Sequence, residues 1–158
     1  MKAFGLKLLT LGLLFLFVLA CKNFTCPTCD TMPQALRLKI TDKKSSEDLI
    51  FNGTYKAEEI SITYFKDQKE ETIDIEIVTD TENESSMIIS YEIPWKSLAG
   101  IKTYYLHLNS TKKETNTLYL NVVSKSGDCC ESYKYVDFEI NDEIIELDPT
   151  DYIYNLQK

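Results

Sequence analysis

Apolar and polar residues alternate along most of this chain with a period of two. Leu36, Leu38 and Ile40 are apolar, while the residues between them are charged. The same alternation returns over residues 73–77 and 118–122. A period of two places successive side chains on opposite faces of a β-strand, so each segment predicts a strand with one buried face. No window shows a sustained helical stripe, and the sequence therefore predicts an all-β protein.

Polar turns separate the predicted strands at short intervals. Asn52-Gly53 and Asn141-Asp142 are pairs that tolerate the positive φ of a tight turn, and Pro94 ends a strand because it lacks an N–H for the ladder. Trp95 to Gly100 is predicted as a single helical turn or a loop. Eight or nine strands at this spacing favour an antiparallel β-sandwich, immunoglobulin-like or transthyretin-like, or a barrel. The predicted strands cover residues 36–41, 48–51, 60–64, 73–77, 87–93, 104–108, 118–122, 133–140 and 144–147.

The first twenty residues have the layout of a secretory signal. Lys2 and Lys7 precede an apolar run of 13 residues from Leu8 to Ala20, which is shorter than the about 20 residues of a membrane-spanning helix. Val18-Leu19-Ala20-Cys21 resembles a bacterial lipobox. The resemblance implies that Cys21 receives a diacylglyceryl thioether, that the chain is cut before it, and that its freed amine is acylated. An ordinary signal with an incidental cysteine is the alternative.

Charge excludes two classes of partner. A cut before Cys21 removes two of the 17 basic residues and none of the 25 acidic ones, so the mature chain of 138 residues carries 15 against 25 and a net charge of −10. That length fits one domain. The acidity argues against nucleic acid as a partner, since phosphates require clustered Lys and Arg. It also argues against electrostatic docking on anionic lipid, so membrane attachment rests on the acyl chains of Cys21.

Residues 21–33 are predicted as a tether between the lipid and a β-sandwich domain of residues 34–158, because they show no periodicity and contain two prolines. Asp30-Thr31-Met32 resembles the Asp-Ser/Thr-apolar acceptor of O-glycans in secreted proteins of Bacteroidetes-type bacteria, which makes Thr31 a candidate glycosylation site; a turn is the alternative.

The chain also resembles small envelope lipoproteins of that group, which implies a lipid-anchored position in the outer membrane. Surface-exported members carry acidic residues directly after the lipidated cysteine. None precedes Asp30 here, so periplasmic-facing and surface-facing positions both stay open.

Four cysteines follow Cys21: Cys26, Cys29, Cys129 and Cys130. Their even number in an exported chain predicts disulfides. A zinc site would use two pairs each spaced by two to four residues, but the second pair is adjacent. A redox-active CPTC motif would lie at a helix N-terminus of a thioredoxin-like fold, and no βαβ pattern surrounds this one. Four cysteines allow three pairings, of which the local one forces a bond between neighbours. We therefore predict cross pairing, which fastens the tether to the turn before the Tyr133 strand.

His107 and two acidic clusters are the titratable candidates for chemistry. His107, the only histidine, lies between Leu106 and Leu108, and its predicted orientation is outward, opposite to theirs, with no partner to orient it as a base. Asp80-Thr81-Glu82-Asn83-Glu84 offers oxygens at alternate positions, as calcium prefers, but lacks the glycine and terminal Glu of an EF-hand. We predict no metal and no cofactor, with solvated turns as the interpretation of this cluster and of Asp137, Glu139, Asp142 and Glu143.

Aromatic residues form the most suggestive pattern. Tyr133 and Tyr135 are two residues apart, as are Tyr152 and Tyr154, and Trp95 is predicted on a loop. Tyrosines on one face can form a stacking platform for a glycan or a protein partner. The alternative is that tyrosine simply suits strands and the edges of a core.

The sequence therefore predicts a non-enzymatic binding or accessory module of the cell envelope, without catalytic residues. The competing class is a hydrolase or a metal-dependent enzyme, which requires carboxylates from different strands to converge on a pocket with perturbed pKa values. A purely structural envelope protein would differ from the binding module only in lacking a ligand.

Overall fold

Ten strands and one short helix make up the part of the chain that our computed structural model describes, which is residues 28–29, 31–127, 129–148 and 150–158. The predicted signal of residues 1–20 lies outside these residues, as do Cys21 and Cys26. No helix in the described part is both long enough and apolar enough to cross a membrane. The strands are β1 (Leu36–Thr41), β2 (Ser61–Lys66), β3 (Lys69–Ile73), β4 (Glu76–Asp80), β5 (Ser85–Ser90), β6 (Thr103–His107), β7 (Thr115–Ser126), β8 (Glu131–Ile140), β9 (Glu143–Ile144) and β10 (Tyr154–Gln157); the helix is α1 (Glu92–Leu98), and a 3₁₀ turn covers Ala57–Glu59.

The strands form two sheets that share one core. The four-stranded sheet has the order β10-β1-β5-β4, and the six-stranded sheet has the order β3-β2-β6-β7-β8-β9. Leu38 and Ile88 from the first sheet and Ile62, Leu106 and Leu120 from the second are fully buried in a common cluster. The predicted all-β sandwich is therefore confirmed, while its immunoglobulin-like or transthyretin-like subtype stays a prediction. One pair, β1 with β10, is parallel, which differs from the purely antiparallel arrangement that the sequence led us to expect.

The predicted single strand over residues 73–77 is wrong, because the chain changes sheets there. β3 ends at Ile73 on the edge of the six-stranded sheet, and β4 begins at Glu76 on the edge of the four-stranded sheet. Ile73 is buried, and Ile75 and Ile77 pack against the same core. The alternation of apolar residues continues through the crossing because both sheets face the same core.

Residues 48–51 also differ from their predicted strand. Only Asp48 makes a strand-like bridge, to Thr41, and the chain then turns. The Asp48 carboxylate causes this turn, since its Oδ1 accepts the backbone N–H groups of Ile50 and Phe51, both at 2.9 Å. An Asp side chain that bonds to the backbone two and three residues later favours a turn over a strand.

Helix α1 replaces the end of one predicted strand and the loop or helical turn after it. β5 ends at Ser90, and Pro94 lies in the first turn of α1, where a missing N–H costs no intrahelical hydrogen bond. The prediction that Pro94 ends a strand is thus wrong. Ser97 joins α1 to β7, since its hydroxyl donates to the carbonyl oxygen of Leu120 at 2.8 Å and accepts the N–H of Val122 at 2.9 Å. Gly100 terminates the helix with a φ of +97°, a conformation that glycine adopts without strain.

Candidate functional site

A recess lined by tyrosines lies where the tether meets β8 and the C-terminal segment. Its volume is about 240 Å³, close to the lower end of small-ligand pockets, which begin at about 300 Å³. All four tyrosines that the sequence analysis singled out contribute to it. The lining residues are Gln34, Ala35, Tyr133, Lys134, Tyr135, Leu147, Tyr152 and Tyr154.

A β-bulge in β8 turns two of these tyrosines toward the recess. Leu120 pairs with Phe138 and Val122 pairs with Tyr135, so Val136 has no partner on β7. Without this extra residue, strict alternation from the buried Phe138 would place residues 136 and 134 on the inner face. With it, Tyr135 and Tyr133 share the inner face and pack against the core. The sequence analysis grouped Tyr133 with Tyr135 but did not detect the bulge that aims them.

Contacts between rings fix the inner wall of the recess. The Tyr154 ring lies 4.2 Å from that of Phe138 and 6.3 Å from that of Tyr135, centroid to centroid. The Tyr135 hydroxyl donates a hydrogen bond to the carbonyl oxygen of Gln34, which holds the start of the domain, just after the tether, against β8. Burial raises the pKa of both Tyr135 and Tyr154 above the usual phenol value. Both phenols are therefore neutral at physiological pH, so these two tyrosines add ring surface and no charge to the recess.

The outer wall comes from a turn near the C-terminal end, where only Ile144 of the predicted strand over residues 144–147 lies in a strand, the two-residue β9. The chain turns at Asp148, whose Oδ1 accepts the Thr150 N–H at 2.8 Å, and this hydrogen bond holds the Asp148 pKa below its usual value. The Tyr152 N–H donates to the carbonyl oxygen of Asp148 at 2.9 Å. Tyr152 thereby takes a φ of 57° and presents a half-exposed ring at the rim.

Trp95 extends the aromatic surface beyond the recess. It lies on α1, which agrees with the helical-turn alternative for residues 95–100 and not with the loop. Its ring meets that of Tyr133 edge to face at 5.8 Å. The side chain is 46% exposed, so one part of the ring is free to contact a ligand. The aromatic residues predicted as a platform are thus brought together at one end of the sandwich.

A disulfide fastens the tether next to this site. Cys29 is bonded to Cys130, with their Cα atoms 5.6 Å apart, and Cys129 is disulfide-bonded as well. Only one of the three possible pairings contains Cys29–Cys130, and in it Cys26 pairs with Cys129. The cross pairing is confirmed for Cys29–Cys130, while Cys26 lies outside the described residues. Thr31, the candidate glycosylation site, is exposed on the tether.

His107 is not exposed as predicted. Its side chain lies on the sheet face opposite to that of the fully buried Leu106, yet only 5% of the residue is exposed. Two threonines hold the ring, with Nε2 3.0 Å from the Thr63 hydroxyl and Nδ1 2.8 Å from the Thr115 hydroxyl. Glu70 lies 3.8 Å from Nε2 and is itself paired with Lys112 at 2.6 Å. Burial, followed by the charge of Lys112, lowers the His107 pKa, and Glu70 opposes this in part.

We expect a His107 pKa below 6.5, measured from the Cε1–H proton resonance in protein without a histidine tag, where His107 is the only histidine. Because the folded state disfavours the protonated ring, stability is fully present above the unfolded pKa of about 6.5 and is lost as pH falls below it. A single group can contribute at most about 1.4 kcal/mol per pH unit. Urea unfolding at pH 7.5 and 5.5 measures this loss, and His107→Gln should remove most of it. A pKa of 6.5 or above would contradict the expectation.

The acidic clusters do not converge. No group of three or more His, Cys, Asp or Glu side chains in the described part of the chain is placed to hold a metal ion. In the first cluster, Asp80 accepts the N–H groups of Glu82 and Asn83 and the Asn83 side-chain amide, and these hydrogen bonds lower its pKa. In the second, Asp137 accepts the Asn121 amide at 3.3 Å.

Comparison with known proteins identifies no relative, since no protein-family model, no curated protein and no solved structure matches this chain.

Proposed function

We propose that this chain is a lipid-anchored envelope protein that works by binding, with the tyrosine recess as its binding surface. The observation that carries the proposal is the gathering of Tyr133, Tyr135, Tyr152 and Tyr154 around one recess beside the tether. Aromatic side chains around a concave surface are typical of binding sites, because they bury a large area at a small cost in side-chain entropy. A glycan or another envelope protein fits such a surface.

The electrostatics favour binding over catalysis. A general acid at neutral pH needs a carboxyl group whose pKa is raised by burial or by a like charge. Each described carboxyl with a clearly shifted pKa is shifted downward, by hydrogen bonds at the protein surface; these are Asp42, Glu70, Glu71, Asp80 and Asp148. The buried Asp48 carboxylate is used within the fold, since it accepts three backbone N–H groups.

Anchoring is tested by mass spectrometry of the mature protein isolated from its envelope. We expect the first residue to be Cys21 with a diacylglyceryl thioether and an acylated amine. Cys21→Ser should prevent this processing and release the protein from the membrane fraction or leave it with its signal uncut. An unmodified N-terminus at another residue would contradict the anchor.

The binding surface is tested by placing the photo-crosslinking residue benzoylphenylalanine at position 152 of the full-length protein in intact cells. Position 65 is the control, because Phe65 is also an exposed aromatic, at 54%, but does not line the recess. We expect a discrete adduct from position 152 alone, and Tyr133→Ala should weaken it. Equal adducts from both positions, or none from position 152, would contradict a binding role for the recess.

A further inference from the structure

A second concave surface lies between α1 and the segment that links β3 to β4. This groove has a volume of about 350 Å³. Trp95 belongs to the groove and also contacts Tyr133 of the tyrosine recess, so the two surfaces adjoin. The groove is lined by Asp74, Ile75, Glu76, Ile89, Tyr91, Glu92 and Trp95.

Three carboxylates and no basic side chain line this groove. The Glu92 carboxylate is engaged in the fold, since it accepts the Asp74 N–H at 2.9 Å and lies 3.3 Å from the Lys96 ammonium. Lys96 also donates to the Tyr64 hydroxyl at 2.9 Å and does not itself line the groove. Asp74 and Glu76 are exposed, and their carboxylates accept no hydrogen bond within the described part of the chain. Two uncompensated carboxylates therefore face the groove.

The aromatic rings beside these carboxylates also favour a cation. Tyr91 is 62% exposed and Trp95 is 46% exposed, and their ring faces carry partial negative charge. Tryptophan is the best ring for attracting a cation, and a planar guanidinium both stacks on a ring and forms paired hydrogen bonds with a carboxylate. A neutral sugar would gain nothing from the charge of the groove, and an anionic group would be repelled.

We propose that this groove binds an arginine side chain of a partner protein, with the guanidinium stacked on Trp95 and bonded to Asp74 and Glu76. The site is separate from the tyrosine recess and does not depend on the lipid anchor. It lies beside β4, the last strand of the four-stranded sheet, where an extended segment of a partner can reach it.

The proposal is tested by nuclear magnetic resonance of the full mature protein, titrated with the peptide acetyl-Gly-Arg-Gly-amide. Trp95 is the only tryptophan, so its indole N–H gives one resonance that reports directly on the groove. We expect a saturable shift in the millimolar range that weakens as sodium chloride rises from 50 to 500 mM. The lysine peptide should bind more weakly, because its ammonium neither stacks nor forms paired hydrogen bonds.

Matched variants and peptides decide the assignment. Asp74→Asn with Glu76→Gln should weaken arginine-peptide binding about fivefold or more. Glu58→Gln with Glu143→Gln changes the net charge equally at exposed positions outside the groove and should leave binding unchanged. An equal shift with the isosteric neutral citrulline peptide would overturn the proposal, as would tighter binding of tetramethylammonium or of a neutral maltotriose. No saturable shift with the arginine peptide would overturn it as well. None of these results bears on the tyrosine recess, which is tested separately by crosslinking from position 152.

Discussion

Replacing Asp48 with alanine is expected to lower the free energy of unfolding by about 3 to 5 kcal/mol. Asp48 is 8% exposed, and its Oδ2 accepts the Ser86 N–H at 2.8 Å in addition to the two N–H groups that its Oδ1 accepts. Ser86 and Ile50 are buried, so water cannot replace the lost acceptor at either. Asp48 thus joins the turn after β1 to the first residues of β5.

Urea unfolding followed by circular dichroism measures this effect, and two variants control it. Asp48→Asn keeps one acceptor oxygen but directs an amide toward one N–H group. Its free energy of unfolding should therefore lie between those of the native protein and Asp48→Ala. Asp42→Ala removes a carboxylate that likewise accepts two backbone N–H groups, those of Lys44 and Ser45. That turn is at the surface, where water can accept the two N–H groups instead. The free energy of unfolding should therefore fall by less than about 1 kcal/mol. Equal losses for Asp48→Ala and Asp42→Ala would contradict our account.

Removing both disulfides is expected to lower the free energy of unfolding by more than twice as much as removing one. Cys29–Cys130 spans 101 residues of sequence, and a loop of that length is worth about 4.7 kcal/mol in the chain-entropy model. The second bridge, predicted as Cys26–Cys129, closes nearly the same loop. Once one bridge is present the other constrains only a few further residues, which the same model values at about 2 kcal/mol. Either bridge alone therefore retains most of the stabilisation.

Thermal or urea unfolding of Cys29→Ser/Cys130→Ser, compared with protein fully reduced by dithiothreitol, measures the difference. The variant should unfold only slightly earlier than the native protein, and reduction should cause the main loss. If Cys29→Ser/Cys130→Ser lost as much stability as the fully reduced protein, the second bridge would not close the same loop. Equal stability of reduced and oxidised protein would contradict the entropic account.

The fold was predictable from local alternation, but the partners of each strand were not. Period two identifies a half-buried strand wherever one face meets the core, and most predicted strands are present. Residues 73–77 keep their alternation while passing from one sheet to the other, because the core is the same on both sides. The pairing of β1 with β10 joins residues more than 100 positions apart in parallel, and no local pattern encodes it.

The candidate site was predictable in composition and only partly in geometry. The spacing of Tyr133 with Tyr135 indicated a shared face, and a signal for the bulge was present in the sequence. Phe138 and Ile140 are apolar at even positions, whereas the tyrosines occupy odd ones, so a single regular strand could not bury both sets. His107 was assigned to the correct side of its strand, but side chains from β2, β3 and the β6–β7 turn cover it. The arginine groove had no local signal, since it requires α1 to pack beside the crossing segment.

The disulfide between Cys29 and Cys130 also determines how the domain carries a mechanical load. Without the bridge, a pull applied to the chain before Cys29 would act directly on β1 and on its pairing with β10 and β5. With the bridge in place, part of the force enters at Cys130, immediately before β8. β8 pairs with β7 over nine residue positions, the longest ladder in the described chain, so many hydrogen bonds share that part of the force. The bridge thereby divides an applied force between β1 and β8, so that β1 bears less of it when the tether is pulled.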